Sequence, residues 1–229
     1  MKILGIGAHP DDIEIFMFGL LLCYKSEGHE IFTAIATDGA AGNVLGYKNL
    51  VNVRKQETID ALSLLGKPHF FNFPDGELAS INNEKEKIKK YIFTVKPDLI
   101  ITHAPEDYHS DHRALSAFIR EVSNFICPIL YTDTLLGVNF NPDYYVDITY
   151  HFPEKIKAIL KHESQKPETF LEATELLNRF RSAQCNSPKG HYAEAFRIDK
   201  SFPFSDIRDL LPPSPGINNF YQSLSRSMI

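Results

Sequence analysis

Two short polar clusters in this chain carry the residue types of a hydrolytic metal site. The first, Ala8-His9-Pro10-Asp11-Asp12, follows the apolar run Lys2-Ile3-Leu4-Gly5-Ile6-Gly7. The second, His109-Ser110-Asp111-His112, lies a few residues beyond another apolar run, Asp98-Leu99-Ile100-Ile101-Thr102-His103-Ala104. A catalytic zinc takes three N or O ligands and keeps one position for water, so imidazoles and carboxylates gathered at two strand ends suit it. Pro10 biases His9 toward an extended backbone and is itself suited to a first helical turn, which puts His9 at a strand end and Asp12 one turn into the next element. Both then converge on one ion, and His112, opening a helix after a second strand, is the best candidate for the third ligand. Asp11, not needed as a ligand, is placed to act as general base on a metal-bound water. His109 enters the same pocket three residues before His112, where as imidazolium it would stabilise an oxyanion and protonate a departing amine. Asp111 would hold one of these imidazoles in the right tautomer. Taken singly, each cluster also reads without chemistry, with Asp11 and Asp12 favouring a positive helix end and Asp111 capping a helix from an exposed loop. Their joint occurrence at two strand ends points to a metal: zinc first, with iron, manganese or cobalt open to the same donor set.

The elements that must position these residues alternate along the chain. Strands are expected over Lys2–Gly7, Glu30–Thr37, Phe70–Phe73, Asp98–Ala104, Ile129–Asp133 and Tyr144–Ile148. Between them, helices are expected over Ile13–Lys25, too apolar for a surface helix, and over Asn49–Leu65, Asn83–Val95 and His112–Phe125. Such alternation implies βαβ crossovers and a Rossmann-like three-layer α/β fold with a mostly parallel sheet. Past residue 150 the character changes to two helices, Pro153–Lys161 and Pro167–Cys185, then a late strand or extended segment, Tyr192–Ile198, and a proline-broken tail at Pro212–Gly216. The expected organisation is a single domain over residues 1–229, with an α/β core to about 150 and a C-terminal extension of helices and tail.

With 229 residues, 43% of them hydrophobic, the chain can bury a substantial core as one domain. A net charge of −5 offers no basic surface of the kind that phosphate backbones require, so nucleic acid is not an expected partner. Cys23, Cys127 and Cys185 are far apart and form no Cys-x-x-Cys pair, which fits a reducing compartment and a cytoplasmic protein. Neither a signal peptide nor a membrane span is expected. Gly5-Ile6-Gly7 suggests a nucleotide-binding turn only weakly, because the third small residue of that fingerprint would fall on Pro10.

Ala8-His9-Pro10-Asp11-Asp12 together with His109-Ser110-Asp111-His112 resembles the LmbE-like, or PIG-L, family of zinc-dependent N-deacetylases, which remove acetyl groups from N-acetylglucosamine-type conjugates. Thr37-Asp38-Gly39, Arg54-Lys55-Gln56-Glu57, Asp107-Tyr108, His162-Glu163-Ser164-Gln165 and Tyr192-Ala193-Glu194-Ala195-Phe196 look like further signatures of it. The resemblance implies His9, Asp12 and His112 as zinc ligands, Asp11 as base, His109 as a group on the transition state and Arg54 as a substrate contact. Asn43, in the loop after the second strand, and Tyr108, beside His109, are the other candidate substrate contacts. The expected substrate is a small, soluble amino sugar, an unrelated small amide is the alternative, and the resemblance leans toward a homo-oligomer. One departure bears on the substrate: after Thr-Asp-Gly the family often has an acidic residue and Arg-Gly, whereas Ala40-Ala41-Gly42-Asn43 stands here. An anionic aglycone would then depend on Arg54, Lys48 or Arg113.

Overall fold

Alternate side chains of a strand point to opposite faces, and here both faces are apolar. In β1 (Lys2–Gly7) Ile3 joins one core while Leu4 and Ile6 join the other; in β4 (Leu99–Thr102) Leu99 and Ile101 part from Ile100 in the same way. Strands of this kind belong in a sheet covered on both sides. The structure, a computed structural model, describes residues 1–81, 85–123, 126–200 and 211–216. It is an α/β fold whose strands, completed by β2 (Glu30–Thr37), β3 (His69–Phe73), β5 (Ile129–Thr132), β6 (Tyr144–Asp147) and β7 (Ala193–Ile198), form one sheet in the order β3-β2-β1-β4-β5-β7-β6.

The first five strands are parallel. From β1 the chain builds outward through β2 and β3, then returns to lay β4 and β5 on the other side. β1 and β4 are therefore neighbours at the point where strand order reverses, and loops leaving such a pair diverge to open a crevice at their carboxyl ends. Both polar clusters issue from that point.

Several elements differ from the sequence expectation. The single helix expected over Ile13–Lys25 is two, α1 (Asp12–Phe16) and α2 (Phe18–Ser26), divided at Met17. The cause is tertiary: the Glu194 carboxylate on β7 accepts the Gly19 and Leu20 amides at 3.0 and 2.8 Å, capping α2 as a new helix start. Gly19 also lies against Ile148, where a Cβ would come within 2.6 Å. Next, β7 pairs antiparallel with both β5 and β6, so the late segment completes the sheet interior rather than trailing from it. The helix expected over Asn49–Leu65 is α3 (Leu50–Ala61). Those expected over Asn83–Val95 and His112–Phe125 are α4 (Lys85–Val95) and α5 (Ser110–Ser123), residues 83–84 and 124–125 lying outside the described residues. The C-terminal pair is α6 (Phe152–Ile159) and α7 (Glu168–Gln184). Among the described residues no helix is long and apolar enough to cross a membrane.

Candidate active site

The first cluster is built by a sharp turn between β1 and α1. Gly7 is required there, since a Cβ on it would lie 2.8 Å from the Asp12 Cβ. Asp11 takes φ 130° and ψ −22°, a conformation that L residues rarely adopt and that costs on the order of 1–3 kcal/mol. The turn sends His9 and Asp12 inward. The second cluster starts α5 two residues earlier than expected, which places His112 in its first turn, facing the first cluster.

Three donor groups meet. His9 Nδ1 and Asp12 Oδ2 are 3.4 Å apart, His112 Nε2 and Asp12 Oδ1 3.3 Å, and His9 Nδ1 and His112 Nε2 3.3 Å. Ligands about 2.05 Å from a tetrahedral zinc stand about 3.3 Å from one another. The outward nitrogens face carboxylates: His9 Nε2 lies 3.1 Å from Asp75 and 3.4 Å from Asp111, and His112 Nδ1 lies 3.2 Å from Asp107. With a carboxylate on the outer side of each ring to take the imidazole N–H, the two inward nitrogens can offer lone pairs to a cation beside the Asp12 carboxylate. That donor set fits a divalent cation. Without one it gathers protons. Burial opposes charge on His9, but Asp111, Asp12 and Asp75 raise its pKa well above the ordinary value; burial likewise opposes charge on His112, yet Asp12 and Asp107 push it up to about 9. Asp12 is held well below the usual carboxylate range, the two histidines His112 and His103 outweighing its burial.

Beside this centre, Arg54 is 3% exposed and both its terminal nitrogens are engaged. Its Nη1 donates to the Gly39 carbonyl at 2.9 Å, and its Nη2 donates to the Pro10 carbonyl at 2.6 Å and to Asp11 Oδ2 at 3.0 Å. Burial raises the pKa of Asp11, with the Arg54 cation opposing that rise. His109 Nδ1 accepts the Asp111 amide at 3.2 Å, so the neutral ring carries its proton on Nε2. Burial, and then the charges on His9 and His112, lower the pKa of His109. Asp111 is itself fixed by the Gly76 and Leu78 amides at 2.7 and 3.2 Å.

These groups line a cavity of about 290 Å³ together with Ala41, Gly42, Asp75, Tyr108, Leu135 and Phe170. Of the expected residues, His9, Asp11, Asp12, Arg54, Tyr108, His109 and His112 line it, and Asp111 lies behind it. Asn43 does not: its side chain closes a local turn, Oδ1 accepting the Tyr47 amide at 2.7 Å and Nδ2 donating to the Tyr47 carbonyl at 2.9 Å. Arg54, expected on the substrate, lines the cavity while its terminal nitrogens donate to Asp11 and the surrounding backbone.

Two residues escaped the sequence reading, and a segment that it named only as a signature has a bracing role. His103, fully buried, stacks on His112 at 3.7 Å and approaches Asp12 Oδ2 at 3.1 Å. Its place immediately after β4, matching that of His9 after β1, was the available signal. Asp75 sits in a turn that the sequence marks only by its Pro and Gly neighbours. The His162–Gln165 segment braces the site from behind: His162 pairs with buried Glu14 at 2.9 Å, Ser164 donates twice to Glu57 on α3, and Gln165 donates to the Gly42 carbonyl at 3.1 Å.

Comparison with known proteins adds four findings. Residues 4–123 match the family model described as PIG-L, GlcNAc-PI de-N-acetylase. A diacetylchitobiose deacetylase of Thermococcus kodakarensis is 28% identical over 220 residues, spanning 86% of this chain and 82% of the relative. An N,N'-diacetylchitobiose deacetylase structure from Pyrococcus horikoshii, in complex with an inhibitor, superposes with a TM-score of 0.74 at 27% identity, covering 92% of this chain and 88% of that one. The 4-carboxy-2-hydroxymuconate hydratase of Pseudomonas putida KT2440 shares the fold at TM-score 0.76 with 18% identity, covering 90% and 98% of the two chains. The fold alone therefore does not single out a reaction.

Proposed function

Because the chain belongs to the PIG-L family of GlcNAc-PI de-N-acetylases, we propose that it is a metal-dependent hydrolase removing the acetyl group from an N-acetylglucosamine-type conjugate. The observation that carries this reading is the meeting of His9, Asp12 and His112 at 3.3–3.4 Å beside the strained carboxylate of Asp11. His9 Nδ1, Asp12 and His112 Nε2 hold the cation, zinc being the first choice for that donor set. When bound, the cation supplies Lewis acidity, polarising the acetyl carbonyl and bringing the pKa of water toward about 7.

The remaining work falls to the chain's own groups. Arg54 occupies Asp11 Oδ2, so Oδ1 takes the proton from the water that attacks the carbonyl carbon. His109 offers Nε2–H to the carbonyl oxygen as negative charge develops there. It does so as a neutral ring, because Nδ1 is occupied by the Asp111 amide; this differs from the imidazolium expected from sequence. With His109 neutral, Asp11 is the group that returns its proton to the amine nitrogen as the C–N bond breaks, giving acetate and a free amine. Arg113 braces Tyr108 through the Asp107 and Tyr108 carbonyls at 2.7 and 2.6 Å, which supports Tyr108 as a substrate contact. The three free cysteines fit action in the cytoplasm.

Acetate release from N-acetylglucosamine conjugates by the zinc-loaded protein tests the proposal. Asp11→Ala should retain the metal and lose about 10²–10⁴-fold in kcat, the range a positioned base contributes. His112→Ala should lose metal and activity together. A metal-loaded Asp11→Ala protein with full activity would rule out the assigned base.

A further inference from the structure

The motif His162-Glu163-Ser164-Gln165 lines no part of the cavity, yet the side chains it engages stand on the two helices that deliver Asp11 and Arg54. Glu14, on α1, follows Asp11 by three residues, and Glu57 follows Arg54 by three on α3. Each carboxylate therefore lies about one helical turn behind one member of the Asp11–Arg54 pair. A short 3₁₀ turn, Glu163–Gln165, bridges the two carboxylates. His162 Nε2 lies 2.9 Å from buried Glu14, while the amide and the hydroxyl of buried Ser164 donate to the two oxygens of Glu57 at 2.8 and 2.6 Å. The bridge sets the spacing of α1 and α3 one turn behind the point where Arg54 Nη2 meets Asp11 Oδ2 at 3.0 Å. A third contact reaches the loop before α3. Gln165 Nε2 donates to the Gly42 carbonyl, and Gly42 is pinched so closely that a Cβ on it would lie 2.8 Å from both Gln165 Oε1 and Arg54 Nη1. A brace that only satisfied buried donors would be indifferent to which helices it joined; this one joins the two that bring a base and its guanidinium partner together.

We infer that Glu57 and Ser164 are positioning residues for the hydrolysis: with the His162–Glu14 pair they hold the Arg54 guanidinium on Asp11, and so set the aim of the base without entering the cavity. The inference rests on the deacetylase reading and gives these residues no contact with substrate or metal.

The test measures acetate release from di-N-acetylchitobiose per bound zinc. Glu57→Ala should bind zinc as the wild type does and lose about tenfold in kcat, since displacing a catalytic group by about 1 Å costs up to about 10²-fold. Glu57→Gln, which keeps one acceptor oxygen for Ser164, should lose less. In an Arg54→Ala background the same Glu57→Ala change should alter kcat by less than about twofold, because its effect runs through a guanidinium already removed. A loss as large in that background as in the wild type, or no loss in the wild type, would overturn the inference and leave the deacetylase reading intact. If the wild type releases no acetate, the deacetylase reading fails, and hydrogen exchange decides the positioning role separately. The Arg54 Nε–H is sealed from solvent. Its nitrogen-15-resolved signal, identified by its loss in Arg54→Lys, should exchange slowly with water, and Glu57→Ala should quicken that exchange by about tenfold or more as the local structure opens. A rate that Glu57→Ala leaves unmoved, or a wild-type signal that exchanges as freely as a solvated guanidinium, overturns the inference.

Discussion

Asp11 is constrained in three ways at once: by a positive φ, by burial, and by the guanidinium of Arg54 at 3.0 Å. The backbone strain aims the carboxylate into the cavity, and burial makes it a stronger base than a solvated aspartate would be. Arg54 limits that second effect by favouring the charged form. Removing it therefore carries a sign. In Arg54→Ala the pKa of Asp11 rises further, so the base is deprotonated only at higher pH and the acid limb of the kcat/KM profile moves upward. We expect a fall in kcat of about 10–100-fold with it, as for a misplaced catalytic group, and metal affinity close to that of the wild type. A profile whose acid limb stays in place would assign Arg54 to packing alone. Gly39 and Gly42 belong to the same constraint, since a Cβ on either would come within 2.8 Å of the Arg54 guanidinium.

Among the elements, α2 is the one whose existence depends most on distant residues. Its first amides are capped by Glu194 from β7, and the same carboxylate accepts Lys155 Nζ at 2.6 Å, with both side chains buried. Burial lowers the pKa of Lys155, and Glu194 opposes that fall by favouring the ammonium. Glu194→Ala leaves that cation uncompensated and two helix-start amides unsatisfied, a loss of about 3–5 kcal/mol. Urea unfolding measures it. The double variant Glu194→Ala/Lys155→Met should recover much of the loss, because it is the unpaired charge that destabilises; no recovery would mean that the α2 cap dominates. Since α1 leads directly into α2, this pair also fixes the far end of the segment that carries Asp12.

At the scale of the whole molecule, the metal centre couples pH to stability. His112 has a pKa near 9 in the metal-free fold against about 6.5 in an unfolded chain, and His9 is raised as well. A group raised by folding adds stability that is complete below about pH 6.5 and is lost as pH rises through about 9. A cation must displace the same protons, so its affinity rises over that interval. The melting temperature of the metal-free protein should therefore fall between pH 6.5 and 9, while the increment produced by metal grows. At a free cation concentration of 100 times Kd the gain is about 2.7 kcal/mol, or about 5–10 °C in Tm for a chain of this size. Thermal unfolding with and without chelator across that range checks both trends, and an increment that stays constant with pH would show that His112 does not titrate there.

Much of this was legible in the chain because the informative signals are local. An apolar run that ends in His-Pro-Asp-Asp declares a strand, its end, and the residue types placed there within a dozen positions, and helical period marks the crossovers that make the sheet parallel. His9, Asp11, Asp12, His109 and His112 could be singled out on those grounds. Long-range pairings were not legible, since nothing within a strand or loop records its partner. His103 joins the centre because β4 lies beside β1, and Asp75 because the parallel strand β3 ends on the same side of the sheet; Arg54 reaches Asp11 because α3 delivers it against the β1–α1 turn; Asn43 closes its own loop; and β7 enters the sheet and divides a helix near the other end of the chain. Residue type and spacing decide which chemistry is available, and strand order decides which of those residues share one small, desolvated space in which that chemistry can occur.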